Sequence, residues 1–386
     1  MDLSFTPEEA AFAREVRAWL ADNLELPPRF ASLADEIAWG RAWQAKLAAG
    51  RWVGIHWPEE YGGRSASAVQ VAIFNMEYAR SRALQPVNRV GINLAGPTLL
   101  AHGTEAQKQR WLPTILTAEE LWCQLFSEPD AGSDLASLQT RAERVDGGWR
   151  LSGQKVWTSY AQFARFGICL ARTDQDAPRH RGISYLVVDM HADGIEVRPL
   201  VQITGEAEFN EVFLDGVFVP DDHLVGDLHH GWAVANTTLA HERGTSFPFK
   251  EQVVHEVYLD ELYALASSLD LLDDVERSDE LAQVFVELRV LRLLNWRTLS
   301  RLGRGIEPGP ESSVVKLAWT AMTQHLSDAA LAVTGDAAPL WWDATGNPGG
   351  GFWQRQWLWS KAASIAGGTS EVQRTIIGDR ILGLPR

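Results

Sequence analysis

The chain is poor in cysteine, in long apolar runs and in positive charge, and each lack closes off a class of protein. Only two of its 386 residues are cysteines, Cys123 and Cys169. Both sit inside apolar runs, where buried free thiols are expected rather than a disulfide or a metal pair. That usage fits a reducing compartment, and a cytoplasmic location is expected. No window approaches the roughly 18 uninterrupted apolar residues that a membrane span needs. The opening MDLSFTPEEA is acidic and has no basic flank leading into an apolar stretch, so no secretory signal is expected. Lys and Arg number 35 against 50 Asp and Glu, a formal net charge of −15. Such a surface repels a nucleic-acid backbone, and no basic run offsets it locally. A polyanionic ligand would need a few placed cations instead. The scattered histidines, including His229-His230, lack metal-ligand spacing, so no metal is expected.

What remains is an ordinary globular composition, 46% hydrophobic and 22% charged, in a chain too long for one core; two or three domains are expected. Thr6, Pro7 and Glu9 spell a helix start with a capping box, and Phe12, Val16, Trp19 and Leu20 follow at helical spacing. The pattern stays helical to about residue 120, broken at Pro27-Pro28 and Tyr61-Gly62-Gly63. Between 121 and 225 it changes to short strand-like runs: 121–126, 138–145, 149–152, 166–171, 183–190, 195–200 and 210–219. Asp146-Gly147-Gly148 suits a hairpin. Without intervening helices, these runs predict a small antiparallel barrel or sandwich.

After Gly231 the helical period returns. Leu281, Val284, Phe285, Leu288, Leu291 and Leu294 trace an apolar face, and Gly303 to Pro310 separates this helix from another near 312–334. A Gly/Trp-rich loop is expected from Trp341 to Trp359. Its one basic residue, Arg355, is too little interleaved positive charge for a nucleic-acid platform, so it reads as core or interface packing. The last helix is expected from Thr369 to Leu382. The chain thus predicts an α+β multidomain fold: an N-terminal helical domain (1–120), a central β-domain (121–225) and a C-terminal helical bundle (226–386), with no internal repeat.

Two stretches carry chemistry. Phe126 to Asp134 follows a strand, and its Gly132 and Ser133 offer amide and hydroxyl donors that could hold a phosphate. Gln154 to Ser159 places Trp157 and Ser159 on one face of an extended segment, where a flat ring with polar edges could lie. Each stretch alone also fits a capped turn or ordinary packing.

Taken with Gly205 to Asp215, Val219-Pro220, Gly231-Trp232 and the terminal Gly367 to Arg374, these stretches resemble the acyl-CoA dehydrogenase family across nearly the whole chain and in order. The resemblance implies a C-terminal four-helix bundle, assembly into dimers or tetramers, and FAD contacted by the β-domain, the bundle and a neighbouring subunit. It implies that Phe126, Ser127, Gly132 and Ser133 line the flavin and acyl-CoA region. Trp157 and Ser159 would flank the isoalloxazine, with the Ser159 hydroxyl near N5, and Thr369, Ser370 and Glu371 would reach the cofactor from the start of the last helix. The implied reaction is α,β-dehydrogenation of an acyl-CoA to the trans-2-enoyl-CoA, with electrons passing to an electron-transfer flavoprotein. A carboxylate must take the α-proton while a β-hydride goes to flavin N5.

In many members that carboxylate directly precedes the terminal Gly-Thr-Ser; here the position is Gly367. A second, bacterial subgroup carries it in a Glu-Arg pair, matched here by Glu242-Arg243. Glu242 then takes the base role, Arg243 a CoA-chain or structural role, and the Gly367 N–H donates to the thioester oxygen. The missing side chain at 367 is expected to admit a bulkier or branched acyl group. Two family motifs have no counterpart: the Arg followed by Phe-Gly is missing between Asp270 and Glu287, and Leu331 and Thr334 stand where Gln and Gly are expected. Either a homo-oligomer uses other residues, such as the 346–351 loop, or a related partner chain completes the FAD site, as in heteromeric acyl-CoA dehydrogenases of steroid side-chain breakdown. An acyl-CoA oxidase or flavin monooxygenase on the same scaffold, or a structural subunit, are the alternative functions.

Overall fold

The computed structural model describes residues 5–242, 246–306, 309–342 and 344–385, with the backbone alone at 242 and 246–249. Among them run eleven α-helices: α1 (Pro7–Asn23), α2 (Leu33–Ala49), α3 (Ala68–Arg80), α4 (Gly96–His102), α5 (Glu105–Thr117), α6 (Gly231–Glu242), α7 (Ser246–Ser268), α8 (Val275–Leu302), α9 (Ser312–Thr334), α10 (Phe352–Ser360) and α11 (Ser370–Arg380). None is long and apolar enough to cross a membrane. Contacts gather the chain into two compact units. One comprises 26–66 and 84–242; the other takes the segment up to Glu25, 67–83 and everything from Arg243 on.

The first unit holds the sheet, whose strands are β1 (Trp122–Leu125), β2 (Arg141–Val145), β3 (Gly148–Ser159), β4 (Phe166–Arg172), β5 (Ile183–Asp189), β6 (Ile195–Leu200), β7 (Phe209–Pro220) and β8 (Leu224–Val225). They are ordered β6-β7-β3-β2-β4-β5-β8, with β1 joined to β4. Pairing is mostly antiparallel, as the run pattern predicts, but β1 lies parallel to β4, and β2 meets β4 in parallel at a single position. β4 and β5 are buried along almost their whole length, which is why they read as unbroken apolar runs rather than alternating ones. β3 joins the run at 149–152 to the extended segment 154–159 through Gly153 as one strand, and β8, with only two residues, escaped the sequence pattern. Cys123 and Cys169 are free thiols inside this core.

In the second unit α9 is central, with α7, α8, α10 and α11 packed on it. α1 begins as the sequence predicts: the Glu9 N–H donates to Thr6 Oγ1 (3.2 Å) and the Thr6 N–H to Glu9 Oε2 (2.8 Å), while Phe12, Val16 and Leu20 are buried. On α8, Leu281, Val284, Leu288 and Leu291 are buried, but Phe285 is 42% exposed. One residue beyond Val284 is about 100° around the helix, off the buried stripe. The expected 341–359 loop is only partly a loop. α10 starts at Phe352, and Trp353 enters the core beside Trp319 and Met322. The last helix starts one residue after Thr369 and stops two residues short of Leu382.

Candidate active site

Beyond β1 the chain turns sharply at 128–131, where Glu128 and Ala131 exchange backbone hydrogen bonds at 3.1 Å. The turn leaves Gly132 and Ser133 exposed. The Phe126 ring faces inward instead, edge-on to Tyr185 at 5.9 Å. The Ser127 carbonyl accepts from the Val156 N–H at 2.9 Å, which brings the first motif alongside the second.

On β3 the register slips between Lys155 and Thr158, so two residues of β3 bulge opposite one of β7. Strict alternation from Leu151 and Lys155, both buried, would carry Trp157 and Ser159 into the core. The extra residue turns them outward and buries Thr158. Trp157 sits in the bulge at φ 59°, a left-handed conformation rare for a bulky residue, and is 61% exposed with its ring edge-on to Phe209 at 6.1 Å. Both sides of the bulge are fixed. Lys155 is fully buried, and its ammonium donates to Glu128 Oε1 (2.8 Å) and to the carbonyls of Leu170 (2.8 Å) and Phe126 (3.2 Å). Thr158 pairs with Asn210, whose amide donates to the Thr158 carbonyl at 3.0 Å. Glu128 also accepts the N–H groups of Gln139 (2.6 Å) and Thr140 (3.0 Å). Burial alone would push its carboxyl up, but Lys155, Thr140 and Gln139 overcome that and hold it below the usual carboxylate range.

α6 is anchored along its length. Gly231 starts it so close to β5 that an added Cβ would lie 2.4 Å from the Ser184 carbonyl carbon. Further on, Thr237 hydrogen-bonds His102 Nε2 (2.8 Å), and Thr238 joins a buried hydroxyl network with Thr98 (2.8 Å) and Tyr185 (3.2 Å). Position 242 follows Thr238 by one helical turn. The Glu242 side chain and Arg243 lie outside the described residues. Thr238→Val keeps the shape of the side chain but strands buried hydroxyls on both neighbours, so a stability loss of about 1–3 kcal/mol is expected in denaturant titration. Unchanged stability would mean the network carries no load.

In the second unit Gly367 and Gly368 are both left-handed, at φ 65° and 96°. Among the described residues a Cβ on Gly367 meets nothing within 4 Å, whereas one on Gly368 would lie 2.6 Å from Gln373 Nε2. Gln373, fully buried, donates to both glycine carbonyls at 3.1 and 3.3 Å and so fixes the pair. Thr369 caps α11 by accepting the Val372 N–H (3.2 Å); Ser370 is buried, and Glu371 is exposed and paired with Arg374 (3.3 Å). The Thr334 hydroxyl is used inside its own helix, on the Leu331 carbonyl (2.8 Å).

Each unit therefore gathers its share of the sequence-predicted residues. The first motif meets Trp157 and Ser159 in one unit, and the glycine pair meets Thr369, Ser370 and Glu371 in the other. Sequence reasoning missed Glu128, Lys155, Gln373 and the Thr98–Tyr185–Thr238 network, although Glu128, Lys155 and Gln373 stand inside the very motifs singled out. A charged residue amid a strand was the available signal. Among the described residues no cluster could hold a metal, and His229 is spent on Thr173 at 2.9 Å. The outward face of β3 fits a flat heteroaromatic ring with polar edges. Trp157 is held exposed there, and the hydroxyls of Ser127, Ser133 and Ser159 have no hydrogen-bond partner among the described residues.

Comparison with known proteins gives matches along nearly the whole chain. Family models described as the N-terminal, middle and C-terminal domains of acyl-CoA dehydrogenase match residues 6–119, 123–217 and 229–382. Acyl-CoA dehydrogenase IpdE1 of Mycobacterium tuberculosis is 42% identical over 386 residues, 97% of either chain. Among solved structures, the Tcur3481-Tcur3483 steroid ACAD superposes with a TM-score of 0.88 at 28% identity, covering 100% of both chains. The ChsE4-ChsE5 complex from Mycobacterium tuberculosis does so with a TM-score of 0.86 at 32% identity, again over 100% of both.

Proposed function

This chain belongs to the acyl-CoA dehydrogenase family, an enzyme family that works with a flavin, and on that footing we propose that it binds FAD and oxidises an acyl-CoA to the trans-2-enoyl-CoA in the cytoplasm. When bound, the flavin supplies the acceptor for the β-hydride. The rest falls to the chain. Trp157 and Ser159 orient the ring, Phe126, Ser127, Gly132 and Ser133 form the adjoining binding face, and Thr369, Ser370 and Glu371 hold the cofactor from the start of α11. Glu242 removes the α-proton, Arg243 steadies the CoA chain, and the Gly367 N–H donates to the thioester oxygen, where charge develops. The observation that carries this reading is a Glu-Arg pair at the end of an α6 anchored by Gly231, Thr237 and Thr238, in a chain whose alternative base position is glycine.

The space left at Gly367 among the described residues and the steroid ACAD relative both support a bulky, ring-bearing acyl group as substrate. The two-protein relatives, with Leu331 and Thr334 in place of the usual Gln and Gly, support a heteromer with a related subunit over a homo-oligomer. An electron-transfer flavoprotein is the proposed acceptor. The test is anaerobic titration of the purified holoprotein, with any co-purifying subunit, by straight, branched and ring-bearing acyl-CoAs. Ring-bearing thioesters should bleach the flavin most readily. Preference for short straight chains would overturn the substrate class, no bleaching by any would overturn the reaction, and rapid oxygen consumption would favour an oxidase.

A further inference from the structure

The buried ion pair of Lys155 and Glu128 is not used by the reaction, yet it lies at the junction of the two motifs. Full burial of an ammonium is tolerated only when its donors are satisfied, and Lys155 has three acceptors: the Glu128 carboxylate and the carbonyls of Phe126 and Leu170. Glu128 in turn holds the amides of Gln139 and Thr140, which lead into β2. A single cross-link therefore joins the end of β1, the start of β2, the middle of β3 and β4.

Its effect is felt two residues on. Trp157 adopts a left-handed backbone that a bulky residue keeps only where its surroundings over-determine it. Lys155 is fixed by its ammonium, Val156 by its N–H to Ser127, and Thr158 by its return to register with Asn210. The remaining length leaves Trp157 nowhere to go but outward. We propose that Lys155 and Glu128 are positioning residues that lock the bulge and hold the Trp157 ring and the Ser127 turn in one fixed arrangement for the flavin. This rests on the flavin reading above.

Hydrogen exchange of the holoprotein tests it directly, with Glu128→Gln and the neutral double variant Glu128→Gln/Lys155→Met. Both keep side-chain volume. The amides of 126–128, 130–131 and 155–159 should exchange about tenfold faster or more, while β5 keeps its protection; a merely structural pair would loosen the whole sheet evenly. In parallel, free-flavin fluorescence measured well below the melting temperature should report flavin affinity weakened about tenfold. If the double variant does not fold, Glu128→Gln carries the test alone. Uniform loosening, or unchanged exchange at 155–159 together with unchanged flavin affinity, overturns the proposal. Wild-type protein that holds no flavin even with any co-purifying subunit would instead sink the flavin reading, and the exchange pattern would still judge the lock.

Discussion

Glu242→Gln should give a folded, flavin-bearing protein that a substrate acyl-CoA no longer bleaches. The α-proton of a thioester is weakly acidic, so its removal needs a basic group in place, and an amide of the same size and shape cannot accept the proton. Loss of a positioned general base costs about 10²–10⁴ in rate, and here no second carboxylate stands ready at the other family position, which is Gly367. Stopped-flow measurement of the flavin's visible absorption reads the step without the electron acceptor. Substrate affinity should change far less than the bleaching rate, because the exchange removes a proton acceptor and not a binding surface. A variant that bleaches at the wild-type rate would place the base elsewhere and end the Glu-Arg assignment.

Gly231→Ala should harm both stability and turnover, for a reason that lies in the backbone. The added methyl would fall 2.4–2.6 Å from the Ser184 carbonyl carbon and Cα and the Tyr185 nitrogen. β5 cannot retreat, since it pairs with β4 along its length and with β8 on the other side. α6 must therefore lift, and the bond from Tyr185 to Thr238 lengthens with it. Overpacking of this kind costs about 1–3 kcal/mol, or several degrees in melting temperature for a unit of this size, on the order of 2–4 °C per kcal/mol. Since α6 ends at Glu242, flavin bleaching should slow as well. Gly132→Ala is the matched control. Its Cβ meets nothing within 4 Å among the described residues and its backbone is ordinary, so folding should be untouched and any loss of affinity reports ligand approach. Equal melting temperatures and rates for Gly231→Ala and wild type would remove the close contact from the argument.

Much of this was legible in the residues. Helix starts with a hydroxyl cap and a following Glu or Gln were plain at Thr6, and the turn at 146–148 announced its hairpin, because those signals are local. Buried runs such as 166–171 and 183–190 were equally clear. Parallel pairing of β1 with β4 was not, since it joins segments forty residues apart that carry no turn between them. Trp157 shows the limit most sharply. Simple alternation correctly put it on one side with Ser159, but which side depended on a slipped register that only the partner strand β7 reveals. α10 was hidden by the glycines before it, which signal a break and say nothing of the nine helical residues that follow. Lys155 and Gln373 were passed over because charge and amide groups normally mark surface, whereas here the Lys155 ammonium has three acceptors and the Gln373 amide N–H donors have two carbonyls inside the core.

The clamp that Gln373 forms over Gly367 and Gly368 bears on how such a protein can change. Among the described residues a Cβ at 367 meets nothing within 4 Å, so no clash opposes the carboxylate that the family resemblance implies there in other members. The backbone forbids it more quietly: at φ 65° any residue but glycine is strained, on the order of 1–2 kcal/mol. A carboxylate restored at 367 by one substitution would therefore meet backbone strain rather than a clash, while Gln373 holds the carbonyls of both glycines in place.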